Sequence, residues 1–136
     1  MEKKNKRVFT VLSIDGGGIR GVVPARILQE IEERTGKPIA ELFDMVGGTS
    51  TGAILAAGLA VPDEKDPKKP RHSAQELKNF YFTDGPKIFP ELRFKSLKRL
   101  SSSALYDPKP LEDALQDKLG DTKLRDSLVN IMIPAT

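Results

Sequence analysis

The sequence predicts an α/β protein: a parallel sheet with helices packed on it. Three observations carry this. An apolar, β-branched run, RVFTVLSI at 7–14, ends abruptly in a glycine cluster, the signature of a buried strand closed by a tight loop. Behind that loop Val23, Ile27, Leu28 and Ile31 recur at helical spacing. The same order then repeats: a short strand at 44–46, a second glycine-rich loop GGTSTG, and the alanine-rich AILAAGLAV. Strand, loop, helix, strand, loop, helix is the pattern of parallel strands joined by helical crossovers.

The elements follow in order. Pro24 suits the first turn of the first helix and Gly36 its stop. Ile39 to Phe43 predicts one short helical turn leading into the strand Asp44-Met45-Val46. From Val61 to His72 the composition changes: PDEKDPKKPRH, with three prolines and seven charged residues, reads as a solvated loop. Residues 73–83 predict a helix with Ser73 as N-cap and Glu76 completing a capping box. The stretch 84–106 reads as irregular, with Lys95, Lys98 and Arg99 a candidate contact for lipid headgroups or simply a wet face. Pro108 to Leu119 predicts an amphipathic helix with Leu111, Leu115 and Leu119 on one stripe and Gly120 as its stop, and 128–133 a last strand.

Composition narrows the chemistry. At 136 residues the chain is at most one small domain. It has no cysteine, which removes disulfides, thiol nucleophiles and sulfur-ligated metals, and its one histidine, His72, lies in the charged loop, so no multi-histidine metal site is expected. A net charge of +3 is too mild to argue for nucleic acid. No apolar run approaches the ~20 residues needed to span a bilayer, and the basic N-terminus is followed by too short an apolar stretch for a signal peptide. A soluble cytoplasmic chain is the expectation, with peripheral membrane contact allowed.

Two motifs carry the chemistry. Gly48-Thr49-Ser50-Thr51-Gly52 is a G-x-S-x-G between a strand and a helix. A serine hydroxyl becomes a useful nucleophile when a sharp strand-to-helix turn exposes it, and residues two before and two after must be small because the turn is crowded. The bland reading is a glycine-rich turn whose serine caps the helix. Asp15-Gly16-Gly17-Gly18-Ile19-Arg20-Gly21 is the second motif. Attack by Ser50 on an ester would leave negative charge on the carbonyl oxygen, and backbone N–H groups of Gly16, Gly17 and Gly18 are candidates to hold that oxyanion. Arg20 is a candidate to grip an anionic part of the substrate, to pin the loop, or to pair with Asp15. Gly17→Ala is expected to cost activity if φ at position 17 is one that a Cβ forbids. The rival is a dinucleotide site, since Gly16, Gly18 and Gly21 satisfy G-x-G-x-x-G after a strand. Against it stand the carboxylate of Asp15 beside the would-be pyrophosphate, the lack of an acid ending a second strand about twenty residues on, and the unexplained GGTSTG.

The residues DGGGIRG at 15–21 followed by GTSTG at 48–52 resemble the patatin-like phospholipases, as do GPKIFP at 85–90, LYDPKPLEDAL at 105–115 and KLGDTKL at 118–124. The resemblance implies a three-layer α/β/α sandwich with a mainly parallel sheet, and a lipid acyl hydrolase acting on phospholipids or other acyl lipids through an acyl-enzyme, without metal or organic cofactor. It makes Ser50 the nucleophile, Gly17 and Gly18 the main oxyanion donors with Gly16 shaping the loop, Arg20 the substrate-steadying arginine, and Gly48 and Gly52 the small residues of the elbow. It implies an aspartate base rather than a histidine, in a D-G-G or D-G-A element. After Ser50 the sequence has only Asp84-Gly85, followed by proline. The expectation is therefore that 1–136 is the N-terminal part of one such domain, inactive alone, with a sheet edge and an apolar face exposed.

Overall fold

The computed structural model describes residues 8–88 and 108–134. Three strands, β1 (Val11–Ile14), β2 (Met45–Gly48) and β3 (Asn130–Met132), form a parallel sheet in the order β1-β2-β3, with helices on both sides. The expected α/β class is what is found. Register pairs Val11 with Met45 and Ile14 with Gly48, so the two glycine-rich loops leave the sheet side by side at the same end of their strands.

Helix α1 (Val22–Thr35) follows a 3-10 turn at Gly18–Gly21 and stops at Gly36, whose φ of 65° lies in the left-handed region that glycine adopts without cost. The short α2 (Ile39–Leu42) leads into β2. Helix α3 (Thr51–Ala60) is apolar all round and correspondingly buried, with Leu55, Ala56, Leu59 and Ala60 at 1% exposure or less. Helix α4 (Ala74–Thr83) begins with the full capping box: Ser73 Oγ accepts from Glu76 N–H, and the Glu76 carboxylate accepts from Ser73 N–H. Helix α6 (Lys109–Leu119) ends at Gly120 and lays Leu111 and Ala114 against the core. The core gathers Ile14, Leu28, Val46, Leu55, Leu59, Leu77, Phe80 and Tyr81.

Three expectations need correction. The first strand begins at Val11, not Arg7, and is far from fully buried: Val8, Phe9 and Val11 are more than half exposed and only Ile14 is buried. The reason is pairing. Among the described residues β1 has a partner on one side only, so its apolar composition lies at an open edge. Val23 and Ile27 on α1, which line one groove with Leu12 and Ile14 of β1, are exposed as well, and so is Met132 on β3. The second correction is at Gly85–Ile88, read as irregular but folded as one helical turn, α5, with Ile88 buried. The third is that β3 is shorter than 128–133. The candidate headgroup residues Lys95, Lys98 and Arg99 lie outside the described residues.

Candidate functional site

Ser50 stands between the last residue of β2 and the first of α3, with φ 52° and ψ −121°. It is the one non-glycine residue with positive φ among the described residues. A conformation that costs on the order of 1–3 kcal/mol persists only where the surroundings enforce it. Here they do. A Cβ at Gly48 would overlap the backbone of Gly52, and a Cβ at Gly52 would overlap the carbonyl oxygen of Ile14. The small residues on either side of Ser50 are thus required by close backbone packing. The Ser50 side chain makes no hydrogen bond to the end of α3, so it is not serving as a helix cap. The residue is exposed, and none of the described residues offers its hydroxyl a hydrogen bond.

The glycine loop lies directly on this elbow. A Cβ at Gly16 would stand 2.5 Å from the Thr49 carbonyl oxygen and 2.8 Å from Ser50 Cβ. The two threonines that flank Ser50 each hold one amide of the loop: Gly16 N–H donates to Thr49 Oγ1 and Gly17 N–H to Thr51 Oγ1, both at 3.1 Å. Gly18, with φ 58°, opens the 3-10 turn, where its N–H has no acceptor within the turn. The side of Gly16 on which a Cβ would stand is filled by the elbow.

The condition attached to Gly17→Ala is not met. Its φ of 173° is extended backbone, and a Cβ there would meet only Arg20 side-chain atoms at 3.6 Å and beyond. The tight positions are 16, by contact, and 18, by φ. Arg20 makes no ion pair with Asp15 among the described residues. Its Nε donates to Gly17 O at 3.5 Å, alongside Arg20 N–H to the same oxygen at 3.2 Å, and the residue is exposed.

Sequence reasoning missed the residue that ties these pieces together. Tyr81 of α4 is 1% exposed and donates its hydroxyl to the Thr51 carbonyl at 3.1 Å. Its ring fills the space above Gly21, where a Cβ would meet Tyr81 Cε1 and Oη at 2.7 Å. Burial pushes the phenol up to about 12, so it stays a donor at any ordinary pH. An aromatic within the α4 pattern reads as core, and only the three-dimensional contact distinguishes it. His72 is elsewhere: its Nε2 bonds the Lys118 carbonyl at 2.7 Å, joining the charged loop to the end of α6.

An apolar groove of about 350 Å³ runs from Gly16 and Gly17 along Leu12, Ile14, Val23 and Ile27, on the open side of β1. A roomier cavity of about 670 Å³ lies at the opposite end of the strands, by Asp44, Arg125 and Asn130, away from every residue of the elbow. Among the described residues no group of three or more histidine, cysteine or acidic side chains is placed to hold a metal, and no helix is long and apolar enough to cross a membrane.

Fold and site together define an α/β protein that presents a serine on a strand-to-helix elbow, braced by a glycine loop from the neighbouring strand. A family model described as Patatin-like phospholipase matches residues 12–134. The chain belongs to the patatin-like phospholipase family, a family of lipid acyl hydrolases. It is 43% identical over 139 residues to Patatin-like protein 2 of Oryza sativa subsp. indica, covering 94% of this chain and 34% of the relative. It is 42% identical over 138 residues to Patatin-like protein 2 of Arabidopsis thaliana, covering 93% and 33%. A relative from Solanum tuberosum named "Probable inactive patatin-3-Kuras 1" is 40% identical over 133 residues, covering 93% and 34%. The chain spans about a third of the length of these relatives.

Proposed function

We propose that this chain carries the nucleophile half of a serine acyl hydrolase of the phospholipase A, lysophospholipase or esterase type. The observation that carries the reading is the backbone of Ser50: a strained, positive-φ serine that caps nothing, at the start of a buried helix and against a glycine loop. A merely structural turn has no use for that strain.

In the proposed reaction Ser50 Oγ attacks the ester carbonyl carbon, and its proton passes to an aspartate base supplied by sequence beyond this chain. Charge on the carbonyl oxygen is met by amides of the glycine loop, with Gly17 and Gly18 as main donors and Gly16 shaping the loop. Gly18 N–H, which has no acceptor within its turn, is the readier of the two. The tetrahedral species collapses: the ester C–O bond breaks, the leaving alcohol takes the proton, and Ser50 keeps the acyl group. Water then attacks the acyl-enzyme with the aspartate again as base, releasing a fatty acid and restoring the serine. Arg20, held to the loop through Gly17 O, presents its outward face to an anionic part of the substrate. No metal or organic cofactor enters this scheme. The proposed substrate is a phospholipid or other acyl lipid, and the reading is of a cytoplasmic protein that meets such substrates by peripheral contact at membranes.

The test is to treat the full-length protein with a fluorophosphonate and locate the adduct by mass spectrometry. Modification at Ser50 is expected. No adduct, or one at another serine, refutes the assignment.

A second reading applies to the chain as it stands. None of the described residues hydrogen-bonds Ser50 Oγ, and a serine without a base retains only the residual catalysis of binding and oxyanion contacts. Residues 1–136 alone would then bind acyl lipid without turnover, which liposome co-sedimentation without ester hydrolysis distinguishes.

A further inference from the structure

Resting on the hydrolase reading above, we infer that Thr51 and Tyr81 are positioning residues that fix the Gly17 amide against the Ser50 elbow, so that they govern acyl transfer and not substrate affinity.

The contacts form a closed circuit. Thr51 directly follows Ser50 and is 1% exposed. Its hydroxyl oxygen accepts from Gly17 N–H at 3.1 Å, tying the elbow to the middle of the glycine loop. Its carbonyl accepts from Tyr81 Oη–H at 3.1 Å. The Tyr81 ring then closes against Gly21, the end of the same glycine turn, too tightly to admit a Cβ. One buried phenol therefore touches both partners: the residue beside the serine and the far end of the loop that faces it. Thr49 adds a parallel tie on the other side of Ser50, through Gly16 N–H.

Oxyanion stabilisation depends on donors that are already aimed before charge develops. A loop of three glycines has little intrinsic preference for one orientation. The latch supplies that preference. The Gly16 and Gly17 amides are engaged by the threonines, which fixes the two peptide planes ahead of Gly17, and the Gly17 carbonyl, which shares a peptide plane with the Gly18 N–H, accepts from Arg20 N–H at 3.2 Å. In the resting state Gly17 N–H points to Thr51, so its share in holding the oxyanion requires it to divide its hydrogen bond between Thr51 Oγ1 and the substrate. Neither Thr51 nor Tyr81 needs to touch substrate for this, since both are buried.

The experiment compares Thr51→Val, Thr51→Ser and Tyr81→Phe in the full-length protein, with p-nitrophenyl butyrate as the ester and a fluorophosphonate as the titrant of Ser50. Valine keeps the shape of threonine and removes the acceptor; serine keeps the acceptor. Removing one oxyanion donor typically lowers kcat by about 100- to 1000-fold. Misaiming one should lower it by about 10- to 100-fold in Thr51→Val, with KM within about twofold of wild type. Thr51→Ser should recover to within about threefold of wild type, and Tyr81→Phe should fall by about 3- to 10-fold in kcat alone, the smaller loss because the phenol acts one step further away.

A Thr51→Val protein with wild-type kcat overturns the inference. So does equal damage in Thr51→Val and Thr51→Ser, which would mean that the position is about packing. If Thr51→Val does not fold, Tyr81→Phe decides: unchanged kcat refutes the latch. Failure of the wild-type protein to hydrolyse the ester or take the titrant sinks the hydrolase reading itself, and the latch with it.

Discussion

Gly52 lies against the carbonyl oxygen of Ile14, so closely that a Cβ at position 52 would overlap that oxygen and approach the Asp15 carbonyl carbon to 3.1 Å. The first turn of the helix after the serine is thus seated on the last residue of the neighbouring strand. Because both contact partners are backbone, neither can move without the sheet. Gly52→Ala is expected to cost about 1–3 kcal/mol or more, the range for forcing an extra carbon into a packed interior, and to abolish the esterase activity proposed for the full-length protein, in which this and the following kinetic variants are tested, by lifting Ser50 off the glycine loop. Gly58→Ala is the control: its Cβ would meet Leu77 Cδ2 at 2.7 Å, the far end of a flexible side chain on α4. It should lower stability less and leave kcat near wild type. Thermal unfolding alongside steady-state kinetics checks both, and equal loss of activity in the two would show that the seat of Gly52 is nothing special.

Adjacent glycines in the loop should behave differently. Gly16→Ala drives a methyl into the Thr49 carbonyl and Ser50 Cβ, whereas Gly17→Ala finds only Arg20 at 3.6 Å or more. The expected outcome is loss of at least about 100-fold in kcat for Gly16→Ala, comparable with losing an oxyanion donor, and a change of less than about tenfold for Gly17→Ala. Reversal of that order would mean that the loop rearranges when substrate binds.

Ser50 gives a test that separates strain from chemistry. Ser50→Ala removes the hydroxyl but still needs φ near 52° with a Cβ present, so activity should vanish while the melting temperature stays put. Ser50→Gly also abolishes activity but relieves the strain. Against the greater entropy that glycine loses on folding, the relief should leave a net gain of about 1 kcal/mol. Chemical denaturation with both variants measures it. A glycine variant less stable than the alanine variant would mean that the turn is not strained.

How far the sequence discloses this site depends on the range of the interactions. The elbow and the glycine loop were legible because each is a local conflict, flexible residues set against a strand or a helix, that only a backbone close approach resolves. The capping box at Ser73 and the stops at Gly36 and Gly120 were legible for the same reason: their partners lie within four residues. The ties of Thr49 and Thr51 to the loop cross 33 and 34 residues, and that of Tyr81 to Thr51 crosses 30. Nothing in the local pattern marks those side chains apart from their neighbours. The exposure of β1 was misjudged from the strand itself, because an apolar strand in a parallel sheet reads as buried whether or not its second partner is present.

Tyr81 also sets an alkaline limit. Its phenol is pushed up to about 12 by burial, whereas an unfolded chain ionises it near 10. The folded state therefore binds the proton more tightly, the contribution is complete below about pH 10, and it is lost as pH climbs from 10 to 12. Two units correspond to a loss of up to about 3 kcal/mol. Tyr81→Phe removes this pH dependence. Denaturant midpoints at pH 8 and 11 should differ more for wild type than for the phenylalanine variant. Parallel curves would show that the phenolate is accommodated in the fold.

Glu32 supports the same assembly from further away. One carboxylate oxygen accepts Ile39 N–H at 3.0 Å and the other accepts Ala74 N–H at 2.7 Å, so a single side chain of α1 fixes the starts of α2 and α4. Both donors are unpaired helix-start amides, and a hydrogen bond to a charged group is worth about 1.5–3 kcal/mol. Glu32→Ala should therefore cost about 3 kcal/mol or more, with an unchanged denaturant slope. Glu32→Gln, which keeps one acceptor and turns an NH2 toward the other amide, should recover less than half of that. Since α4 carries Tyr81, the alanine variant should also lower kcat by a few-fold at temperatures where it remains folded, and the effect should disappear in a Tyr81→Phe background. A Glu32→Ala protein that unfolds at the wild-type midpoint would mean that water serves the two amides as well as the carboxylate does.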